Sequence, residues 1–250
     1  MTRQAQPRGL SRRRVDQLLS AAKRGRSLDR RIDVISRAFL GRRYRSNPLI
    51  GSADTPEVFT ASLDAFDCVT YIETVLALAL ASNATDFIEW LRKIRYERGR
   101  IQWNRRNHYM TGWIRSNVRN GIIKSVSVAA LSALRKERVL NTVTGLAPQR
   151  ALMKCVPKRA MPRLVPRLKT GDLIFFVSTR KHLDVFHAGI IVREGKKLLM
   201  RHASRSKGGV VEQKLDEFLK ANRMAGVIVV RPHAPTRAAL PFESRSGADK

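Results

Sequence analysis

Cys68 stands in the stretch Phe66-Asp67-Cys68-Val69-Thr70, at the point where an apolar run of helical character begins. Much later the chain reads Gly171-Asp172-Leu173-Ile174-Phe175-Phe176 and then His187-Ala188-Gly189-Ile190-Ile191-Val192. A thiol acts as a nucleophile in its thiolate form, which needs a local positive potential and a base. The unpaired amides at a helix start carry roughly half a positive charge, so they favour the thiolate. A histidine at the start of a buried strand supplies the base. This order of elements is that of a cysteine hydrolase. Each residue also has a plainer reading: a lone cysteine packs as a small hydrophobe, and a lone histidine satisfies one backbone carbonyl. The joint spacing favours the chemistry.

A third group follows from strand register. Arg193-Glu194-Gly195-Lys196 suits a two-residue hairpin loop with Arg193 opposite Lys196. Counting back from that pair sets His187 opposite His202, on the same face of the sheet. A four-residue loop would set Ser204 there instead. His202 is the preferred partner, because a second polar ring can fix the tautomer and orientation of the first.

The elements that must position these groups are legible in outline. Leu28 to Leu40 carries Ile32, Ile35 and Phe39 at helical spacing, and Gly41 ends it. Asp67 to Ala81 reads as a strongly apolar central helix, and Thr85 to Arg95 as a second. Val126 to Leu134 reads as a short helical or extended piece. Ala147 to Thr170 holds four prolines and reads as an irregular crossing segment. Short apolar runs follow at 173–178, 188–193, 198–203, 210–212 and 227–231, with a short helix at 216–222. Helices first and an antiparallel sheet second make the fold α+β. The expected organisation is a basic, mobile or surface-helical arm over 1–26, one domain over 27–233, and a frayed tail over 234–250.

At 250 residues and 43% hydrophobic content the chain can bury a substantial core. Its formal net charge of +29, with a pI near 11.5, attracts polyanions or, alternatively, decorates a solvated surface with arginine. Nucleic-acid binding without catalysis is therefore a competing reading. Against it, the arginines are dispersed and no helix-turn-helix or RNP-type signature emerges. Cys68 and Cys155 read as free thiols. No HxxxH, HxH or CxxC spacing suggests a metal, and no phosphate-cradling loop suggests a nucleotide, so no cofactor is expected. The first 45 residues hold fourteen Lys/Arg, three Asp and no apolar stretch of seven. Taken as it stands, this places the protein in the cytoplasm, the alternative being the periplasm or cell envelope.

Tyr44, the FDCVT motif, Leu168-Lys169-Thr170-Gly171-Asp172 running into an apolar strand, and HAGIIV together resemble the NlpC-type cell-wall peptidase and amidase superfamily. The block Arg106-Asn107-His108-Tyr109-Met110-Thr111-Gly112-Trp113, the approach Leu183-Asp184-Val185-Phe186-His187 and the strand Arg201-His202-Ala203-Ser204 are closer to one branch. That branch is similar to N-acetylmuramoyl-L-alanine amidases and was formerly catalogued as a domain of unknown function. The resemblance runs from about Phe39 to Arg231.

The resemblance implies a papain-like core, with N-terminal helices packed on the C-terminal sheet. It implies Cys68 as nucleophile, His187 as general base and then acid, and His202 as the orienting residue. The substrate would be an amide bond of peptidoglycan or muropeptides, at the lactyl–L-Ala junction or, alternatively, within the stem peptide. Tyr44 matches a tyrosine beside the nucleophile, and Asp67 a position facing the amino end of a stem peptide. The Cys68 amide would be one oxyanion donor. His108, Tyr109 and Trp113 are placed in the substrate groove, where aromatic faces suit sugar rings, with packing of a satellite core as the equal alternative. Asp184 and Ser204 are candidate substrate contacts; turn capping is the competing reading for Asp184.

Overall fold

The computed structural model describes Pro7, residues 10–126 and residues 134–233. The expected tail from Ala234 and most of the 126–134 piece lie outside the described residues. Five helices come first: α1 (Arg12–Ala22), α2 (Leu28–Ala38), α3 (Cys68–Leu80), α4 (Ala84–Arg95) and α5 (Met110–Arg119). The short strands β1 (Arg43–Tyr44), β2 (Ala65–Phe66) and β3 (Ile123–Ser125) interleave with them. Then come β4 (Leu134–Leu140), β5 (Gln149–Cys155), α6 (Met161–Leu164), β6 (Leu173–Val177), β7 (Val185–Glu194), β8 (Lys197–Ser204), β9 (Gly209–Lys214), α7 (Leu215–Ala221) and β10 (Gly226–Pro232).

The architecture is α+β, as its sequence pattern implies. The main sheet runs β2-β1-β9-β8-β7-β6-β10-β3, antiparallel except for the parallel pair β1–β2. Both faces are covered, and alternate residues go to opposite sides. Leu173, Phe175, Ala188, Ile190 and Ala203 join the core formed with α1 to α4. Ile174, Phe176, Ile191, Met200 and Val227 join a second core with α6 and α7.

Helix α3 is the centre. Ten of its residues, Thr70 through Ala79, are buried, which is why its sequence is apolar nearly all round. It packs on α1, α2 and α4 on one side and on β7 and β8 on the other. Its β-branched residues lower intrinsic helix propensity, and burial overrides that. The exception to its apolar character is Glu73, 2% exposed, which takes Arg95 Nε at 2.7 Å and Trp113 Nε1 at 3.2 Å. Arg95 also donates to the Thr60 carbonyl at 2.6 Å.

The described part of the basic N-terminal segment forms α1, the helical alternative, whose Val15, Leu19 and Ala22 are buried in the helical core. Two expectations are corrected. The 147–170 segment begins with a true strand, β5, which pairs with β4 as a separate two-stranded sheet. Its alternation is obscured by Leu152, an apolar residue on the exposed face. The β7–β8 loop is Gly195-Lys196 with Glu194 opposite Lys197, not Arg193 opposite Lys196. Gly195 takes φ +57°, a backbone state that glycine adopts readily.

Arg95→Ala would strand the Glu73 carboxylate in the core. We expect a loss of about 3–5 kcal/mol in urea denaturation, the usual consequence of removing one member of a buried pair. A loss below ~1 kcal/mol would mean the pair contributes little.

Candidate active site

The start of α3 is fixed by a reciprocal capping box. Asp67 Oδ1 accepts from the amides of Val69 (3.1 Å) and Thr70 (2.7 Å) and from the Thr70 hydroxyl (2.8 Å). The Asp67 amide in turn donates to Thr70 Oγ1 at 3.0 Å. Cys68, the first helical residue, is half-buried at this end. Its sulfur lies within hydrogen-bonding reach of the Ala188 amide, as well as those of Cys68 and Val69. The nucleophile candidate therefore meets the sheet one residue beyond His187.

The two histidines do come together. His187 Nε2 and His202 Nδ1 are 2.7 Å apart, with the rings edge to face at 87°. The register that brings them together is two residues away from the expected one. Continuing the observed pairs sets Ser204 level with His187 and His202 level with Gly189. A shift of two preserves the face, whereas a shift of one would have sent His202 to the other core. Diagonal neighbours remain within reach of aromatic side chains. A β-bulge also helps: Phe176 pairs with His187 but Val177 with Val185, so Phe186 is extra and the strand is re-aimed just before the histidine.

The histidine pair is sheltered. Phe218 of α7 stacks on the His187 ring at 5.3 Å between centroids and meets His202 edge-on at 5.5 Å. Burial pushes His187 down to about 3, with the His202 charge adding to the effect, and burial lowers His202 as well. The thiol moves the other way. Burial, and then the Asp67 carboxylate, push Cys68 up to about 12 against the opposing pull of the three amides. At the helix start, desolvation thus opposes the helix-end potential that favours a thiolate.

Tyr44 sits where β1 runs beside β2, in register with Phe66 two residues before the cysteine. Burial pushes its phenol up, and electrostatic interaction with Cys68 adds to that. Asp67 and His108 both line a cleft of about 390 Å³, together with Val69, Arg95, Trp103 and Met110. His108 Nε2 is 2.7 Å from the Trp103 carbonyl, and burial lowers its pKa.

Four of the candidate substrate contacts make structural contacts in the fold, for Tyr109, Trp113 and Asp184 in keeping with their plainer readings. Trp113 is fully buried against Phe175 and donates to Glu73. Tyr109 is buried with Leu140 and Ala151, and its hydroxyl accepts from the Val143 amide at 3.2 Å. Asp184, 1% exposed, accepts from the Thr111 amide (2.7 Å) and hydroxyl (3.0 Å), so it caps the start of α5 from across the fold. Ser204 accepts from the Lys207 amide and meets Ser206 in the β8–β9 turn. Aromatic and polar residues in a motif block look alike whether they face a groove or a core, and only packing separates them.

One further side chain, in no sequence motif, meets the histidine pair. Gln213 Oε1 of β9 lies 3.0 Å from His202 Nε2. Its signal was a polar residue sharing strand parity with Val211, usable only once β9 is known to lie beside β8. Among the described residues, no group of three or more His, Cys, Asp and Glu is arranged to hold a metal ion, and no helix is long and apolar enough to cross a membrane.

Comparison with known structures brings up a related set. A protein from Legionella pneumophila str. Philadelphia 1, LPG0564 of the family DUF1460, superposes with a TM-score of 0.79 over 90% of this chain and 96% of its own, at 22% identity. An N-acetylmuramoyl-L-alanine amidase from Bacteroides uniformis gives 0.68 at 28% identity, over 79% and 96%. A putative xylanase from Bacteroides fragilis gives 0.68 at 28%, over 78% and 98%. Comparison with curated proteins finds no significant match. The family described as AmiA-like, N-acetylmuramoyl-L-alanine amidase-like, matches residues 34–227, from α2 through the start of β10. The chain belongs to this amidase-like family.

Proposed function

We propose that this protein is a cysteine hydrolase of the NlpC-type, papain-like superfamily that cleaves the lactyl–L-Ala amide bond of peptidoglycan or muropeptides. The observation that carries the reading is the hydrogen bond from His187 Nε2 to His202, beside a cysteine whose sulfur reaches the Ala188 amide. With Nε2 engaged, Nδ1 of His187 is the nitrogen left to serve Cys68. Muropeptide fragments in the cytoplasm and wall polymer at the envelope carry the same bond.

In this mechanism the Cys68 thiol gives its proton to His187 Nδ1 as sulfur attacks the amide carbonyl carbon. The resulting oxyanion takes the Cys68 amide and the Tyr44 hydroxyl as donors. His187 then protonates the amide nitrogen, the C–N bond breaks, and the amine of the peptide leaves. Water, deprotonated by His187, attacks the thioester, and the thiol departs with its proton restored. Because burial favours the neutral forms of both partners, the resting pair is thiol and imidazole rather than an ion pair. Proton transfer then accompanies attack.

The xylanase among the structural neighbours raises glycoside hydrolysis as a second reading. That chemistry uses two carboxyl groups flanking the bond. The carboxylates lining the cleft, Asp67 and Glu73, are tied into the capping box and the Arg95 pair. Neither is free to serve as the acid or base of a glycosidase.

Cys68→Ala and His187→Ala should each lower muropeptide turnover at least ~10³-fold, the scale supplied by a nucleophile and its base. Their thermal midpoints should stay near that of the parent. Retained turnover in either variant would end this reading. Mass spectrometry of the products should show a split between sugar and peptide; a cut inside the peptide would make the enzyme an endopeptidase instead.

The resting state has its own test. A His187 pKa near 3 leaves the imidazole neutral throughout the ordinary range, so kcat/KM should show no acid limb between about pH 5 and pH 7. Iodoacetamide should alkylate Cys68 slowly at neutral pH, with a rate still climbing past the free-thiol pKa of about 8.5. A rate that levels off below pH 8 would mean an ion pair.

A further inference from the structure

The bond between the two histidines does not by itself say which nitrogen of His187 carries the proton. A neutral imidazole has one donor and one acceptor nitrogen. If His202 donates from Nδ1, then His187 Nε2 must be the acceptor, its proton sits on Nδ1, and it has no lone pair to offer a thiol. If His202 accepts at Nδ1, the proton of His187 sits on Nε2 and Nδ1 is free to act as base. The choice depends on what lies at the far nitrogen of His202.

Gln213 Oε1 lies there, 3.0 Å from His202 Nε2. A carbonyl oxygen only accepts, so His202 must carry its proton on Nε2 and accept at Nδ1, 2.7 Å from His187 Nε2. The chain of donors then runs one way: His187 Nε2–H to His202 Nδ1, and His202 Nε2–H to Gln213 Oε1. His202 is buried and His187 half-buried, and Phe218 packs against both rings. Gln213 pairs through its backbone with Met200, two positions before His202, and so shares the face on which the histidines lie.

We propose that Gln213 is a positioning residue that sets the base-competent tautomer of His187 through His202. This rests on the cysteine-hydrolase reading above and adds a third link to its proton chain. It also explains why an amide suits the position. A carboxylate would accept equally well but would stabilise a positive charge on His202. Protonated His202 donates from both nitrogens, so it would force the proton of His187 onto Nδ1 and disarm the base.

Two variants separate the tautomer role from simple packing. Gln213→Leu should lower kcat by roughly tenfold or more, part of the 10²–10⁴ a general base supplies, while KM stays within about twofold. Gln213→Glu should introduce an acid limb absent from the parent, with activity falling as His202 takes up a proton and recovering above that pKa. Histidine ¹⁵N NMR gives a readout independent of turnover: His187 protonated on Nε2 in the parent, and a tautomer mixture in Gln213→Leu. Should Gln213→Leu fail to fold, Gln213→Glu, which keeps the side-chain size, still reports through its pH profile. A Gln213→Glu profile superimposable on the parent's, or a parent His187 protonated on Nδ1, would overturn the proposal. If those results appear while Cys68→Ala and His187→Ala are inactive, the hydrolase reading stands and only the role of Gln213 falls; if either of the latter remains active, the underlying reading itself falls.

Discussion

The start of α3 carries the constraint on which everything else rests. A helix end leaves amides without partners, and this one must press its end against a sheet. Asp67 and Thr70 satisfy each other's groups in a closed box, which fixes where the helix begins and therefore where Cys68 points. Ala188 on the facing strand is small enough for the sulfur to come within reach of its amide. Were the helix to begin a residue earlier or later, the thiol would rotate by about 100°, away from the strand that carries His187.

Burial of that junction decides the electrostatics. The same packing that fixes the sulfur takes it partly out of water, and this lost solvation works against the thiolate while nearby amides work for it. The two histidines, closed over by Phe218, are pushed the other way. Burial thus favours the uncharged forms of the thiol and of both imidazoles, and a hydrogen bond rather than a standing charge links the two histidines.

The large positive charge has several distinct uses in the fold. Arg95 is enclosed with Glu73 beneath the cleft, Arg201 is buried between Asp33 of α2 and Glu212 of β9, and Arg106 pairs with Glu57 in the wall. Guanidinium groups suit such places because they stay charged and offer several donors in a planar fork. These arginines are internal struts. Other basic residues lie on the surface, such as Arg115 and Arg119 on the outer side of α5. A charge total cannot distinguish the two populations, which is why it pointed to polyanions without locating any surface for them.

Much of the arrangement was readable from residue order alone. The apolar run after Asp67 announced the central helix, the cysteine marked where that helix begins, and the later apolar runs announced the sheet with His187 on it. Period and turn chemistry are local properties, so they survive without coordinates. The relation of His187 to His202 was found through a register two residues off, and held because face depends on parity alone. What required the tertiary structure was the meaning of side chains that look alike in a string. Trp113, Tyr109 and Asp184 share the motif blocks of the site yet serve the core and a helix end, while Gln213, in no motif, meets His202. Those assignments depend on which strands lie side by side and on where water is excluded. Both arise from contacts between residues far apart along the chain, and no local pattern encodes them.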